Sequence, residues 1–140
     1  MLKWTLIVLA ALVGLVVLLA VVGYFLPKSH VASRTVTVRA SPEQVFAKVS
    51  DLTWFTSDVP VRIEVSEPPS RLVTRIADPT LPFGGTWTFA LAPDGRGTRL
   101  TITEDGEVYN PIVRTLQKLF FSPYKTMDTY IAALRQNLGG

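Results

Sequence analysis

The sequence contains no cysteine and only one histidine, His30. Without cysteine the chain has no disulfide bonds, thiolate metal sites or thiol nucleophiles. It also lacks a Gly-x-Ser-x-Gly motif and a phosphate-binding loop, two signatures of nucleophilic and nucleotide-dependent enzymes. We therefore predict no catalytic residue, no metal site and no cofactor from sequence motifs.

Charge is missing from the segment between Thr5 and Leu26, which also lacks proline. As a helix with a rise of about 1.5 Å per residue, this segment spans the roughly 30 Å hydrocarbon core of a bilayer. It has no polar stripe, unlike a soluble core helix, and it exceeds the roughly 7 to 15 apolar residues of a signal peptide. We predict a transmembrane anchor over residues 1–27, with Trp4 and Tyr24 near the two interfaces.

Basic residues are not clustered in the rest of the chain, and the net charge is only +3. Nucleic-acid-binding domains carry dense basic patches, so the sequence predicts no nucleic-acid partner. The expected partner is a lipid bilayer. Basic residues flank the apolar segment on both sides, which leaves the side of the membrane open, and nothing in the sequence sets the oligomeric state.

Residues 28–30 are predicted as a linker and residues 31–140 as one α+β domain, because a chain of about 110 residues buries a single core. The elements follow in the order strand, helix, four strands, C-terminal helix. The first helix begins at a Ser-x-x-Gln capping box, and the last pair of strands is joined through an Asp-Gly turn. Proline interrupts the C-terminal helix, which is kinked there or starts again. The predicted bounds are strands at 31–40, 61–66, 71–77, 86–92 and 98–109, loops at 53–60 and 78–85, and helices from Ser41-Pro42 and Asn110-Pro111, with the interruption at Ser122-Pro123.

This order resembles the polyketide cyclase and START-like superfamily, also described as SRPBCC proteins, which have the helix-grip fold. The motifs that carry the resemblance are Ser41 to Phe46 (SPEQVF), Leu81 to Phe89 (LPFGGTWTF), Gly97 to Glu104 (GTRLTITE) and Gly106 to Pro111 (GEVYNP). They are most similar to a bacterial branch whose members often carry a membrane helix. The resemblance implies an antiparallel sheet wrapped around a long C-terminal helix, an apolar cavity for lipids, sterols or polyketides, and a single-pass protein of the bacterial inner membrane.

One departure from the family pattern concerns the sheet. Between Trp54 and Val65 the chain is shorter than the pattern by about two strands. The resemblance therefore implies a reduced sheet or a cavity that is open on that side.

Glu104 is the candidate polar residue of the cavity. Strand alternation places it on the same face as Leu100 and Ile102, pointing inward, where it would anchor a polar group of a ligand. Two alternatives remain open. A bulge at Asp105-Gly106 would turn the carboxylate outward, or an arginine at position 75 or 99 would neutralise it.

Other candidate positions are mostly aromatic. Trp54 and Phe55 would form a gate over the cavity or would pack onto the first helix. Residues 83–85 (Phe-Gly-Gly) would form a lid or a simple turn, and His30 is predicted as a surface residue beside the membrane. The predicted ligand-binding set is Trp54, Phe55, Trp87, Phe89, Ile102, Glu104, Tyr109, Phe120 and Tyr124.

Three functions remain as hypotheses. The first is a membrane-anchored binding protein for an apolar small molecule or lipid held in a helix-grip cavity. The second is a cyclase-like or dehydratase-like enzyme that uses Glu104 in acid–base chemistry. The third is a membrane-tethered interaction module whose pocket is filled by its own side chains.

Overall fold

A computed structural model describes residues 1–55 and 59–139, so part of the predicted loop at 53–60 lies outside the described residues. The chain forms one long N-terminal helix followed by an α+β domain. The elements are α1 (Leu2–Phe25), β1 (Ser29–Val38), α2 (Pro42–Ser50), β2 (Val61–Glu67), β3 (Arg71–Ile76), β4 (Phe83–Asp94), β5 (Gly97–Val108), α3 (Pro111–Phe120) and α4 (Pro123–Leu138).

The five strands form one open antiparallel sheet in the order β1-β5-β4-β3-β2. The first strand pairs with the last, so β1 and β2 are the two edges. This architecture confirms the predicted α+β fold class, with an open antiparallel sheet of five strands. The register between β4 and β5 is continuous from Phe83↔Val108 to Asp94↔Gly97, so no bulge lies at Asp105-Gly106.

Two strands begin at least two residues earlier than predicted. β1 begins at Ser29, inside the predicted linker, because Ser29 and His30 pair with the end of β5. β4 begins at Phe83, inside the predicted loop. Gly85 permits this extension, since its φ of +130° suits glycine and a Cβ there would collide with the backbone oxygen of Asp105.

The inner face of the sheet is covered by α2 and α4. The capping box of α2 is present: Ser41 Oγ accepts the N–H of Gln44, and the Gln44 side chain accepts the N–H of Ser41. Both helices send apolar side chains into one core. Its members are Ala32, Val38, Ala40, Val45, Phe46, Val49, Leu72, Phe89, Leu91, Leu100, Ile102, Met127, Tyr130, Ile131 and Leu134.

The C-terminal region is two helices, which settles the choice between a kink and a new start. Ser122 Oγ accepts the N–H of Tyr124 and caps α4 anew. Of the two helices, α4 fills the curve of the sheet, whereas α3 lies against α1. Arg34 fastens α4 to the edge strand β1, because its guanidinium lies 4.3 Å from the centre of the Tyr124 ring and bonds to Asp128 at 3.1 Å.

Candidate functional site

A cavity of about 980 Å³ lies between the inner face of the sheet and the helices. Ligand cavities for drug-sized molecules measure about 300 to 1,000 Å³, so this one has room for a lipid-sized molecule. Its walls come from the end of α2, from β4 and β5, and from the junction between α3 and α4. The lining includes the side chains of His30, Trp54, Phe55, Trp87, Phe89, Glu104, Leu116, Phe120, Phe121, Thr126 and Tyr130.

An aromatic cluster forms one wall of the cavity around Tyr130. The rings of Trp54, Phe55, Trp87 and Phe89 lie with their centres 5.0 to 5.7 Å from that of Tyr130, at tilted or edge-on angles. These are the favoured geometries of aromatic pairs. The cluster gives the cavity a rigid apolar surface suited to the flat or extended hydrocarbon part of a ligand.

Tyr130 also offers a hydroxyl group. Burial raises the pKa of Tyr130 above its ordinary value, so the phenol stays protonated across the physiological range. Tyr130 lines the cavity, and no hydrogen bond among residues 1–55 and 59–139 involves its hydroxyl. It is therefore a hydrogen-bond donor and acceptor free to meet a ligand.

The polar part of the cavity centres on the Glu104 carboxylate. Trp87, its direct cross-strand partner, donates Nε1–H to Oε1 at 3.0 Å, and His30 Nε2 lies 3.0 Å from Oε2. Because an ionised carboxylate only accepts, the imidazole donates this bond when its Nε2 carries hydrogen. The side chains of Glu104 and His30 are 22% and 33% exposed, so both are reachable from the cavity.

These contacts decide between the alternatives for Glu104. The side chain points inward as predicted, but neither arginine neutralises it. Arg75 instead pairs with Glu64 at 3.1 Å, and Arg99 lies 3.9 Å from an oxygen of Asp94. The partners of the carboxylate are an indole and an imidazole.

The prediction for His30 as a surface residue is wrong. The residue faces inward from β1 opposite Gly106, and the imidazole lies over the glycine. A Cβ at position 106 would come within 2.5 Å of the imidazole Cε1, so the ring would have to leave its present position beside any residue other than glycine. Ser29 and His30 pair with β5. The sequence does not show the register at which an edge strand begins, so this pairing could not be predicted from it.

Six of the nine predicted ligand-binding residues line the cavity, whereas Ile102, Tyr109 and Tyr124 do not. Ile102 is fully buried in the core beneath the cavity floor. Tyr109 lies on the opposite side of the sheet against Gly84, with Lys28 Nζ 5.0 Å from the centre of its ring. The Tyr124 ring is turned toward β1 by Arg34. The six that line the cavity are Trp54, Phe55, Trp87, Phe89, Glu104 and Phe120.

The structure also shows where the two predicted loop features lie, the gate at Trp54 and Phe55 and the lid at residues 83–85. Trp54 packs onto the first domain helix, since its Nε1–H donates to the carbonyl of Lys48 in α2 at 2.7 Å. Phe55 packs on Tyr130 beside it. Residues 83–85 belong to β4, so they are neither a lid nor a turn.

The cavity reaches the surface beside the junction of α3 and α4. Phe120 and Phe121 line it there although they are 73% and 70% exposed. Asp51 lies at another point of the rim, and hydrogen bonds from the hydroxyl and the backbone N–H of Thr53 lower the pKa of its carboxyl group. The mouth therefore combines an apolar side with a charged one.

Ser122 and Lys125 have the Ser-x-x-Lys spacing found in some serine acyltransferases, and both line the cavity mouth. The Ser122 hydroxyl, however, is engaged as the cap of α4. Ser122 therefore has a structural role that explains its position without nucleophilic chemistry.

Comparison with known proteins places this architecture. No protein-family model and no curated protein matches the sequence. Among solved structures, MLL2253 from Mesorhizobium loti matches with a TM-score of 0.61 and 14% identity, covering 79% of this chain and 97% of that one. Mll3558 from Rhizobium loti matches with a TM-score of 0.53 and 21% identity, covering 79% and 94%. This chain has a helix-grip fold.

A third structure with the helix-grip fold is DynU16, a protein of the dynemicin biosynthetic locus. It matches with a TM-score of 0.54 and 17% identity, and the match covers 78% of this chain and 47% of that one. At these identities the comparisons establish a shared fold for the helix-grip domain.

Because the His30 imidazole lies over Gly106, substitutions at these two positions should have coupled effects on the free energy of unfolding. Replacing Gly106 by Ala should destabilise the helix-grip domain by about 1 to 3 kcal/mol, because the new methyl group overlaps the imidazole and displaces it from Glu104. In a His30→Ala background the same substitution should cost much less, which a double-mutant cycle measured by urea unfolding will show. An equal cost in both backgrounds would show that His30 does not fill this space.

Proposed function

We propose that this protein is a single-pass membrane protein whose helix-grip domain binds an apolar small molecule or lipid. The observation that carries the proposal is the cavity of about 980 Å³, which combines an aromatic wall with a hydrogen-bonded polar pair, Glu104 and His30. Such a site suits a molecule with a large hydrocarbon part and one polar end. The hydrocarbon would lie on the cluster around Tyr130, and the polar end would meet Glu104, His30 or the free Tyr130 hydroxyl.

The membrane anchor in this proposal is α1. It is the one described helix that is long and apolar enough to cross a bilayer, with a mean hydropathy of 3.2 over its most apolar part. Only 6% of that part is buried within the protein, unlike the core helix of a soluble domain. An apolar helix left exposed in this way is suited to a lipid surrounding.

Two further findings support a small-molecule ligand. The sequence resembles helix-grip proteins that hold lipids, sterols and polyketides. DynU16, which shares the fold, belongs to the dynemicin biosynthetic locus. The hypothesis of a pocket filled by its own side chains loses support, since the cavity in the described residues is open space.

Blocking the cavity should abolish binding. Thr126 is exposed and lines the cavity, so Thr126→Trp places an indole ring in the space that the ligand needs. Thr129 is exposed on the same helix outside the cavity, which makes Thr129→Trp a matched control. With 11-(dansylamino)undecanoic acid as the fluorescent probe, Thr126→Trp should raise the Kd of the full chain at least about tenfold, or about 1.4 kcal/mol.

The control variant should bind the probe like the wild type. Equal affinity in all three proteins, or no probe binding to the wild type, would refute the cavity as a binding site for apolar molecules.

An enzyme is the second candidate, and the hydrogen bond between His30 and Glu104 inside the cavity favours it. Two titratable groups that share a hydrogen bond beside a bound molecule can move a proton to or from it. A dehydratase would lose turnover but keep binding in Glu104→Gln. Molecules that co-purify with the wild type and with this variant should then differ by one molecule of water in mass spectra. A binding protein would carry the same molecule in both forms.

A further inference from the structure

α3 runs back along α1 in the opposite direction. At its start, Pro111 lies against Gly23, so closely that a Cβ on the glycine would overlap the Pro111 carbonyl. One turn later, Thr115 Oγ1 donates to the carbonyl of Leu19 at 2.6 Å. Four residues along α3 therefore correspond to four residues back along α1, as in an antiparallel helix pair.

This arrangement sets the depth of α3 in the bilayer that α1 would cross. About 20 helical residues span the hydrocarbon core, and counted from the interfacial Trp4 they reach Gly23. Leu19 lies about 6 Å closer to the bilayer centre than Gly23, at 1.5 Å per residue. Thr115, bonded to Leu19, therefore lies within the hydrocarbon core, and the last turn of α3 follows it in the same direction.

The far end of α3 carries the side chains expected at that depth. Leu119, Phe120 and Phe121 are 64%, 73% and 70% exposed at the end of α3, the helix that lies against α1. Soluble domains rarely leave three consecutive large apolar side chains in water. Phe120 and Phe121 also line the mouth of the cavity, so the apolar end of α3 and the mouth coincide.

We infer that α3 is a second membrane-embedded element, and that its apolar end opens the cavity directly into the acyl-chain layer of one leaflet. An apolar ligand then passes between leaflet and cavity without crossing water. The inference rests on the proposed function for both its membrane anchor and its ligand. It adds the source of the ligand, which is the bilayer itself, and the route of entry between α3 and α4.

The polar residues of α3 are compatible with this position. Arg114 donates to the carbonyls of Gly23, Leu26 and Val108, so its guanidinium is satisfied by the protein. Lys118 is exposed, and its four-carbon stem extends the ammonium group toward the headgroups.

Spin labels test the depth of α3, and the lack of cysteine makes each label unique. Phe120→Cys is labelled in the full chain, reconstituted in vesicles of phosphatidylethanolamine and phosphatidylglycerol. Val17→Cys in α1 serves as the reference within the membrane, and Arg96→Cys, in the hairpin turn at the opposite end of the sheet, as the reference in water. The label at position 120 should collide with O₂ as often as the label at position 17 does. It should collide with a water-soluble nickel complex far less often than the label at position 96.

The outcomes separate the inference from the proposed function. A label at 120 that behaves like that at 96, while 17 is lipid-shielded, overturns the inference and leaves the anchor intact. A water-exposed label at 17 refutes the anchor and the inference together. A label at 120 shielded from both reagents indicates a covering protein, such as a second copy of this chain, and also overturns the inference.

Matched glycine variants in α1 test the docking of α3. Gly23→Leu should force α3 away from α1 and return the label at 120 to water, because no side chain fits against Pro111. Gly14→Leu adds the same side chain where no atom lies within 4 Å, and should leave the label in lipid. An unchanged label in Gly23→Leu would show that this contact does not hold α3 in the membrane.

Discussion

The position of the domain depends on one guanidinium group. The last carbonyls of a helix lack the regular bonds of the helix interior, and at the end of α1 two of them accept hydrogen bonds from Arg114. Its Nη1 donates to Gly23, which also accepts the N–H of Leu26, at 2.6 Å and to Leu26 at 3.3 Å. The same group donates to Val108 at the end of β5. Arg114 thereby joins the apolar helix, the central part of the sheet and the start of α3. Every other feature near the proposed membrane surface is placed relative to this junction.

The junction at Arg114 also fixes the position of the cavity, because β5 ends at the junction and forms one wall of the cavity. On the inner face of β5, Glu104 is followed by Gly106, and the strand then ends where Arg114 bonds to it. The Glu104 carboxylate and the space for His30 therefore lie at the end of the sheet near α1. The aromatic cluster lies further along the sheet. A ligand that enters between α3 and α4 would meet both surfaces, because Phe120 at the mouth and Tyr130 in the wall line the same space. The entrance for the ligand, the polar group that would bind it and the aromatic wall thus line one continuous cavity.

Local patterns in the sequence predict much of this fold, because alternation, capping boxes and proline are read over a few residues. They place the strands, α2 and the inward direction of Glu104. The alternation of side chains along β5, continued by one residue beyond Val108, also places the Tyr109 side chain on the outer face of the sheet. The role of His30 depends on a strand register set 74 residues away, and the docking of α3 depends on a glycine contact between distant helices. No local pattern encodes such contacts.

In the proposed function the cavity holds an apolar molecule taken from the membrane. The decisive experiment is photolabelling of the full chain in vesicles that contain a fatty acid with a diazirine group on its acyl chain, followed by mass spectrometry of the labelled peptides. We expect crosslinks to cavity side chains such as Phe89 and Tyr130, which face no bulk lipid, in addition to crosslinks on α1. Crosslinks confined to α1 would contradict it.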